Sequence, residues 1–272
     1  MTLAERRFYL SSQEGVSLRC GVISEGLQRK EGDNMISESP CILRRVLIAA
    51  VFACIASQEL AQSKDPALPV SMEPNHHIRF DNGRVRVYDV QVPKGTWTKF
   101  HEHTWDNFFV FIIPTTQAYE FSDGRHETRE VKPGDVGFSS TATGPYTHRV
   151  TAQGELPLHV VDIEILNNAQ LGSGPAPPKR PDSSFKMVME NPRGRAYDIV
   201  LKPGQSTTVF SRPANTGIFA VSGGRDSENP EDRSPRLWDS EPGDFRWSDA
   251  SEKLTIRNDS AKDEEFVEIE LF

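Results

Sequence analysis

The 272-residue chain has only three cysteines, Cys20, Cys41 and Cys54, and none beyond them. All three fall in an N-terminal leader, so the folded part has no disulfide and no thiolate chemistry. Histidine is as unevenly spread: all seven lie between His76 and His159. Imidazole chemistry is therefore confined to one half of the remaining chain. No run of about 18 apolar residues exists, which excludes a multi-span membrane protein. Basic residues are not in excess either. A net charge of −8 argues against general nucleic-acid binding, which needs Lys and Arg to displace counterions. The charges of residues 1–62 cancel, so the acidity belongs to the folded part. No phosphate-cradling Gly loop, Ser/His/Asp triad or coupled pair of catalytic carboxylates is evident, which weighs against hydrolase and nucleotide-dependent functions.

The N-terminal segment reads as a targeting signal. Arg44-Arg45 precedes the apolar run 46–56, and Ala61-Gln62-Ser63 then offers small residues for cleavage before Lys64. A basic stretch followed by a short apolar core is the secretory pattern. Residues 1–63 are thus expected to be a leader with a signal peptide, and Met35 is a candidate initiator. The mature protein is expected to be exported, to the periplasm or outside, and free of the membrane once the signal is removed.

From Asn82 on, β-rich stretches alternate with turn residues. Arg84–Val92 and Trp97–His103 read as strands, and Phe108–Ile113 as a strand buried on both faces. Ser122-Asp123-Gly124-Arg125 joins two alternating runs as a hairpin. Strands this regular, with no convincing helix between them, predict an all-β sandwich or barrel. Residues 167–183, rich in Gly, Pro, Asn and Ser, read as a linker that buries little. Beyond it the pattern returns. Arg86-Val87-Tyr88-Asp89-Val90 matches Arg195-Ala196-Tyr197-Asp198-Ile199, and Pro133-Gly134-Asp135 matches Pro242-Gly243-Asp244, both at an offset of 109. Val161–Leu166 matches Val267–Phe272 at an offset of 106. Matches in one order indicate an internal duplication of one β-unit, 64–166 and 184–272.

The constellation with chemistry is Gly95, five residues, then His101-Glu102-His103. On a strand, residues i and i+2 share a face, so both imidazoles project together. His148 follows the Pro133-Gly134-Asp135 turn and supplies a third. Three neutral imidazoles suit Mn, Fe, Zn, Ni or Cu, so the metal stays open. His76, His77 and His126 read as surface residues, and His159 as structural. Trp97, Trp105, Phe109 and Tyr146 are candidate pocket or core aromatics. In the second unit, Phe210 and Arg212 stand at the places of His101 and His103, and Ile256 or Arg257 at that of His148. That unit is expected to bind no metal this way. Residues 226–235 read as a solvated acidic loop.

At these motifs the chain resembles the cupin superfamily. Gly95, His101 and His103 match its first motif, and Pro133, Gly134 and His148 its second. The resemblance covers about residues 80–166, with a degenerate copy over 190–272, so the chain looks like a bicupin. It implies two tandem jelly-roll (double-stranded β-helix) barrels, with His101, His103 and His148 holding a divalent metal inside the first. Where the motif has its glutamate, this chain has Asn107, with Phe108 next and Asp106 one residue early. The fourth ligand is therefore Asn107, Asp106 or water. Gly134 to His148 is also a longer interval than the motif's usual one. Tyr146 is the nearest proton donor and Asp106 the nearest base.

The expected function is an exported, metal-dependent oxygenase, decarboxylase or isomerase of a small organic acid, phenol or sugar. The alternatives are a non-catalytic protein holding a metal or small ligand, and a purely structural or dimerising module. The expected partners are a small molecule and, as cupins often pair through their sheets, a second copy of the chain.

Overall fold

Alternation along each strand decides which side chains meet. The computed structural model describes residues 66–172, 176–180 and 182–272. The leader expected over 1–63, with its apolar core 46–56 and all three cysteines, lies outside them. The first barrel is built from β1 (Leu68–Pro69), β2 (His76–Asp81), β3 (Val85–Val92), β4 (His101–His103), β5 (Asn107–Phe111), β6 (Thr115–Phe121), β7 (His126–Val131), β8 (Val136–Ser139), β9 (Tyr146–Ala152) and β10 (Leu158–Ile165). They form two five-stranded sheets, β1-β4-β9-β6-β7 and β2-β3-β10-β5-β8. The second barrel has β11 (Phe185–Asn191), β12 (Gly194–Leu201), β13 (Phe210–Arg212), β14 (Thr216–Ala220), β15 (Gly224–Pro230), β16 (Arg236–Ser240), β17 (Phe245–Ser248), β18 (Glu252–Asn258) and β19 (Glu264–Leu271). Its sheets run β11-β12-β19-β14-β17 and β13-β18-β15-β16. The only helical turns among the described residues are two short 3₁₀ segments, Val70–Met72 and Leu166–Asn168. This is a jelly roll made twice.

β2 to β8 correspond to β11 to β17 at an offset of 109, and β9 and β10 to β18 and β19 at 106. The step arises because the connection after β17 is three residues shorter than the one after β8. Register therefore replaces one expectation: His101 pairs with His148, and Phe210 with Leu254, so Leu254 holds the place of His148, not Ile256 or Arg257.

Three apolar clusters hold the unit together. Tyr88, Val90, Phe111, Val150 and Val160 fill the first barrel. Tyr197, Ile199, Phe210, Leu254 and Phe266 fill the second. The third lies between the barrels, where Val87, Phe108, Val110, Val161 and Ile163 meet Ala196, Phe219, Val267 and Ile269. One sheet of each barrel thus buries both faces, which is why 108–113 reads as continuously apolar. The segment 167–183 buries more than its composition promised: Leu171 joins the inter-barrel cluster, and the Arg180 side chain is 4% exposed, paired with Glu268 and Glu270.

The two Pro-Gly-Asp turns make matching contacts across this interface. A Cβ at Gly134 would meet Glu265 Oε1 at 2.2 Å, and one at Gly243 would meet the His159 ring at 2.6 Å. Both glycines have positive φ, +76° and +95°. His159 is held by Asp89 at 2.8 Å and cannot move aside, whereas the Glu265 carboxylate is the free end of a flexible chain. We expect Gly243→Ala to cost about 1–3 kcal/mol and Gly134→Ala less, as read from urea midpoints.

Candidate metal centre in the first barrel

Strand β4 carries His101 and His103 on one face, and both are buried. Its antiparallel neighbour β9 sets His148 opposite His101 and Tyr146 opposite His103. The strand expected over 97–103 is confined to 101–103. Trp97 contributes an isolated bridge to Thr151, and Thr98 accepts the Val150 N–H.

A fourth imidazole joins them. His76 was expected at the surface, because Pro74 and Asn75 read as a loop. It is instead the buried first residue of β2, paired with Val90 of β3, which turns its side chain into the barrel. His76, His101 and His103 each bring a ring nitrogen within 4.8 Å of the others. His148 sets its Nε2 3.0 Å from that of His101. His77 and His126 are exposed, as expected, and His159 is occupied by Asp89 at the inter-barrel face.

The ring orientations are fixed from behind. His101 Nδ1–H donates to the Lys99 carbonyl at 2.9 Å, which leaves Nε2 unprotonated, its lone pair turned toward His148 Nε2. His76 Nδ1–H donates to Glu73 Oε2 at 2.7 Å. Glu73 also accepts from the Asn75 and Lys99 backbone. Burial alone would raise the Glu73 carboxyl, but its hydrogen bond to His76 and the charge there hold it down at about 2. A carboxylate behind a histidine is how metal-ligating imidazoles are oriented and made more basic. Burial, then His76, pushes His101 down to about 3. Burial, then neighbouring imidazoles, holds His103 and His148 well below the ordinary histidine range. All three are neutral at pH 7.

These residues fit a divalent cation. Two Nε2 atoms 3.0 Å apart match two adjacent ligands at right angles, each about 2.1 Å from a metal. His103 Nδ1 is buried without a hydrogen-bond partner, as is Glu164 Oε1. They lie 3.9 Å apart, and Asp162 Oδ2 is 3.9 Å from the same nitrogen. With His103 neutral, neither contact is an ion pair. Burial, then Glu164, pushes the Asp162 carboxyl up to about 8, and burial raises Glu164 too. Neutral donors beside uncompensated acids are the chemistry a 2+ ion would satisfy.

The remaining sequence candidates divide. Tyr146 stacks on His103, centroids 4.9 Å apart and planes at 12°, and its hydroxyl donates to Asn107 Oδ1 at 3.0 Å. Asn107 Nδ2 donates to Asp162 Oδ1 at 2.7 Å. Asn107 therefore reaches the site, but its amide oxygen is already engaged, and it acts as a bridge from Tyr146 to Asp162. Asp106 is not with the histidines. Its carboxylate accepts from Thr141 N and Oγ1 and pairs with Arg193 of the second barrel at 3.0 Å. It ties the barrels together and is not free to act as a base. Glu73, His76, Asp162 and Glu164 were missed; the one signal for the first two was their three-residue spacing ahead of a strand.

In the second barrel Arg212 stands where His103 stands, fully buried. Its guanidinium pairs with Glu228 at 2.6 Å, Glu268 at 3.2 Å and Glu252 at 3.4 Å. Register places Glu252 at the position of Tyr146 and Glu268 at that of Asp162. The residues expected to form a solvated acidic loop thus begin as strand β15, with Asp226 and Glu228 buried. Glu228 balances interior arginines, whereas 231–235 are exposed as expected.

No protein-family model matches the sequence, and no curated protein does. Among solved structures, the chain is similar to a cupin domain from Bordetella pertussis Tohama I (18% identity, 35% of this chain and 99% of that one, TM-score 0.31). It is also similar to AerE from Microcystis aeruginosa (10% identity, 74% and 98%, TM-score 0.48) and to oxalate decarboxylase from Bacillus subtilis (12% identity, 68% and 68%, TM-score 0.45). By its own strand order the chain is two tandem jelly-roll barrels, the first lined by histidines and the second by an arginine–glutamate cluster.

Proposed function

We propose that the first barrel holds a divalent transition metal on His76, His101, His103 and His148, and that the protein is an exported, metal-dependent enzyme acting on a small organic molecule. The observation that carries this is the convergence of four buried imidazoles, with His101 and His148 Nε2 atoms 3.0 Å apart. Four nitrogen donors suit Mn, Fe, Zn, Ni or Cu. A bound metal would supply Lewis-acid or redox chemistry, the basis of oxygenase, decarboxylase or isomerase activity. The chain's own part is positional. Lys99 and Glu73 aim two of the rings, Tyr146 packs on the third, and Asp162 keeps a proton within reach of the His103 side. Export rests on the 46–56 apolar run, a single ancestral unit on the strand-for-strand correspondence of the barrels, and pairing of two copies on the habit of cupins.

A second reading, a non-catalytic protein that holds a metal or small ligand, is favoured by one observation. Tyr146 and Asn107 spend their polar atoms on each other and on Asp162, and Asp106 is engaged elsewhere. Dioxygen uptake and turnover by the metal-loaded protein, over a panel of small acids, phenols and sugars, decide between them. Turnover lost in His101→Ala supports the enzyme; metal retention without any turnover supports the holder. Glu73→Gln, which keeps the shape but weakens the grip on His76, should lower metal affinity about 10–100-fold in a competition titration with a chelating dye.

A further inference from the structure

We infer that the first barrel takes an anionic ligand, a small carboxylate, and that Arg129 is the residue that receives it. The inference rests on the metal-centre reading for its location and goes beyond it in naming the ligand's class.

Arg129 lies on β7, on the same face as Val131, whose side chain belongs to the first barrel's interior cluster. Its guanidinium sits over the rings of Phe109, Phe111 and Tyr119 at 5.2, 4.8 and 5.1 Å from their centroids. Its hydrogen bonds go only to neutral groups: Nε and Nη2 donate to Gln117 Oε1, and Nη2 to the Tyr119 hydroxyl. Nη1 donates to no described group, and no carboxylate of a described residue lies within 4.0 Å. Every other described arginine that is at least partly buried does have such a partner, as Arg149 has Glu120, Arg193 has Asp106 and Arg212 has Glu228. The same holds for Arg86, Arg180, Arg195, Arg236 and Arg246. Arg129 is thus the one inward-facing cation of the described chain without a counter-charge. Aromatic faces offset only part of the cost of such a charge.

Its place is that of a recognition group. The Tyr119 ring, whose hydroxyl accepts from Arg129, stands 5.7 Å from the His148 ring. An anion at the guanidinium is therefore one aromatic ring away from the histidines. In the second barrel, which lacks the histidines, the same register position holds Trp238: Gln117 pairs with Arg129, and Asp226 with Trp238. The unpaired arginine goes with the histidine barrel alone. The planar fork of a guanidinium matches a carboxylate, and the rings of Phe109, Phe111 and Tyr119 suit the apolar body of an organic acid. Inorganic phosphate shares the charge but would find no second cation beside Arg129.

The test is calorimetric titration of the metal-loaded full chain with benzoate and acetate, against benzamide, acetamide and inorganic phosphate. Metal content is measured on the same samples. The carboxylates should bind at least about tenfold more tightly than their amides, and Arg129→Gln should remove that preference while metal content stays unchanged. Arg129→Lys should retain part of it. Equal binding of acid and amide by the wild-type protein overturns the proposal without recourse to any variant. So does an undiminished preference in Arg129→Gln, or a site that binds phosphate but neither carboxylate. A carboxylate preference in protein that holds no metal supports Arg129 while removing the metal reading. Metal without the preference does the reverse.

Discussion

Chelator-stripped protein should melt higher by roughly 10 °C when supplied with its divalent metal at about a thousand times the dissociation constant. Binding to the folded state alone adds about 4 kcal/mol at that ratio. A domain pair of this size gains about 2–4 °C for each kcal/mol. The affinity is expected because the donors are already assembled: His101 is aimed by Lys99, His76 by Glu73, and burial keeps His101, His103 and His148 uncharged. No proton has to leave His101, His103 or His148 at pH 7 before they can ligate. The His101→Ala/His103→Ala variant should show no metal-induced rise. Comparing each protein with and without metal separates ligation from the cavity that truncating two buried side chains leaves behind. Bound metal should fall from about one equivalent per chain to near none in the same variant. If scanning calorimetry finds no shift with Mn, Fe, Zn, Ni or Cu, the convergence of imidazoles is a packed core and not a centre.

The sequence made the scaffold readable through its periods, and it failed where charge stood in for apolar residues. Val161, Ile163 and Ile165 alternate with Asp162 and Glu164, a pattern that ordinarily puts the acids in water. Here the apolar set faces the second barrel and the acids face the interior. Which face is inside depends on a neighbour that no single strand reveals. His101, His103 and His148 were visible because two share a strand and the third follows a turn. His76 was hidden because its neighbours Pro74 and Asn75 look like a loop, and because the bulge between Ile78 and Phe80 breaks the alternation that would have marked β2. Asp106 was misplaced because parity along a chain cannot show that Arg193, from the other barrel, captures its carboxylate. Glu228 reads as surface because its partner Arg212 lies on another strand, 16 residues away.

That last pairing carries the second large effect. Replacing Arg212 by methionine should cost about 3–5 kcal/mol at pH 7–8, because it leaves Glu228 Oε1 and Glu268 Oε2 buried without their partner and not because it loses a favourable contact. Glu228 is the clearest case. Burial would raise its carboxyl, but Arg212 first, and Arg236 and Arg246 after it, hold it below the ordinary range. In the wild-type protein its contribution is therefore present above its unfolded pKa of about 4.3 and is lost as pH falls through the lower folded value. In Arg212→Met, burial is opposed by Arg236 and Arg246 alone, and the folded carboxyl moves up. The variant's folded state then binds more protons than the wild-type folded state does, so its deficit relative to wild type grows as pH rises. The deficit should be smallest near pH 4 and grow toward pH 8, as read by urea unfolding across that range. Glu270, raised to about 7 by burial, titrates in either protein and cancels in the difference, whereas Asp226, raised to about 7 by burial and partly held down by Arg212, moves further up in the variant and adds to the deficit as pH rises. Adding Glu228→Met to Arg212→Met should recover part of the loss, since an apolar pair of similar volume needs no counter-ion. A deficit that does not change with pH, or one that deepens on removing Glu228, would mean that Arg212 acts through its packing against Phe210 and not through its charge.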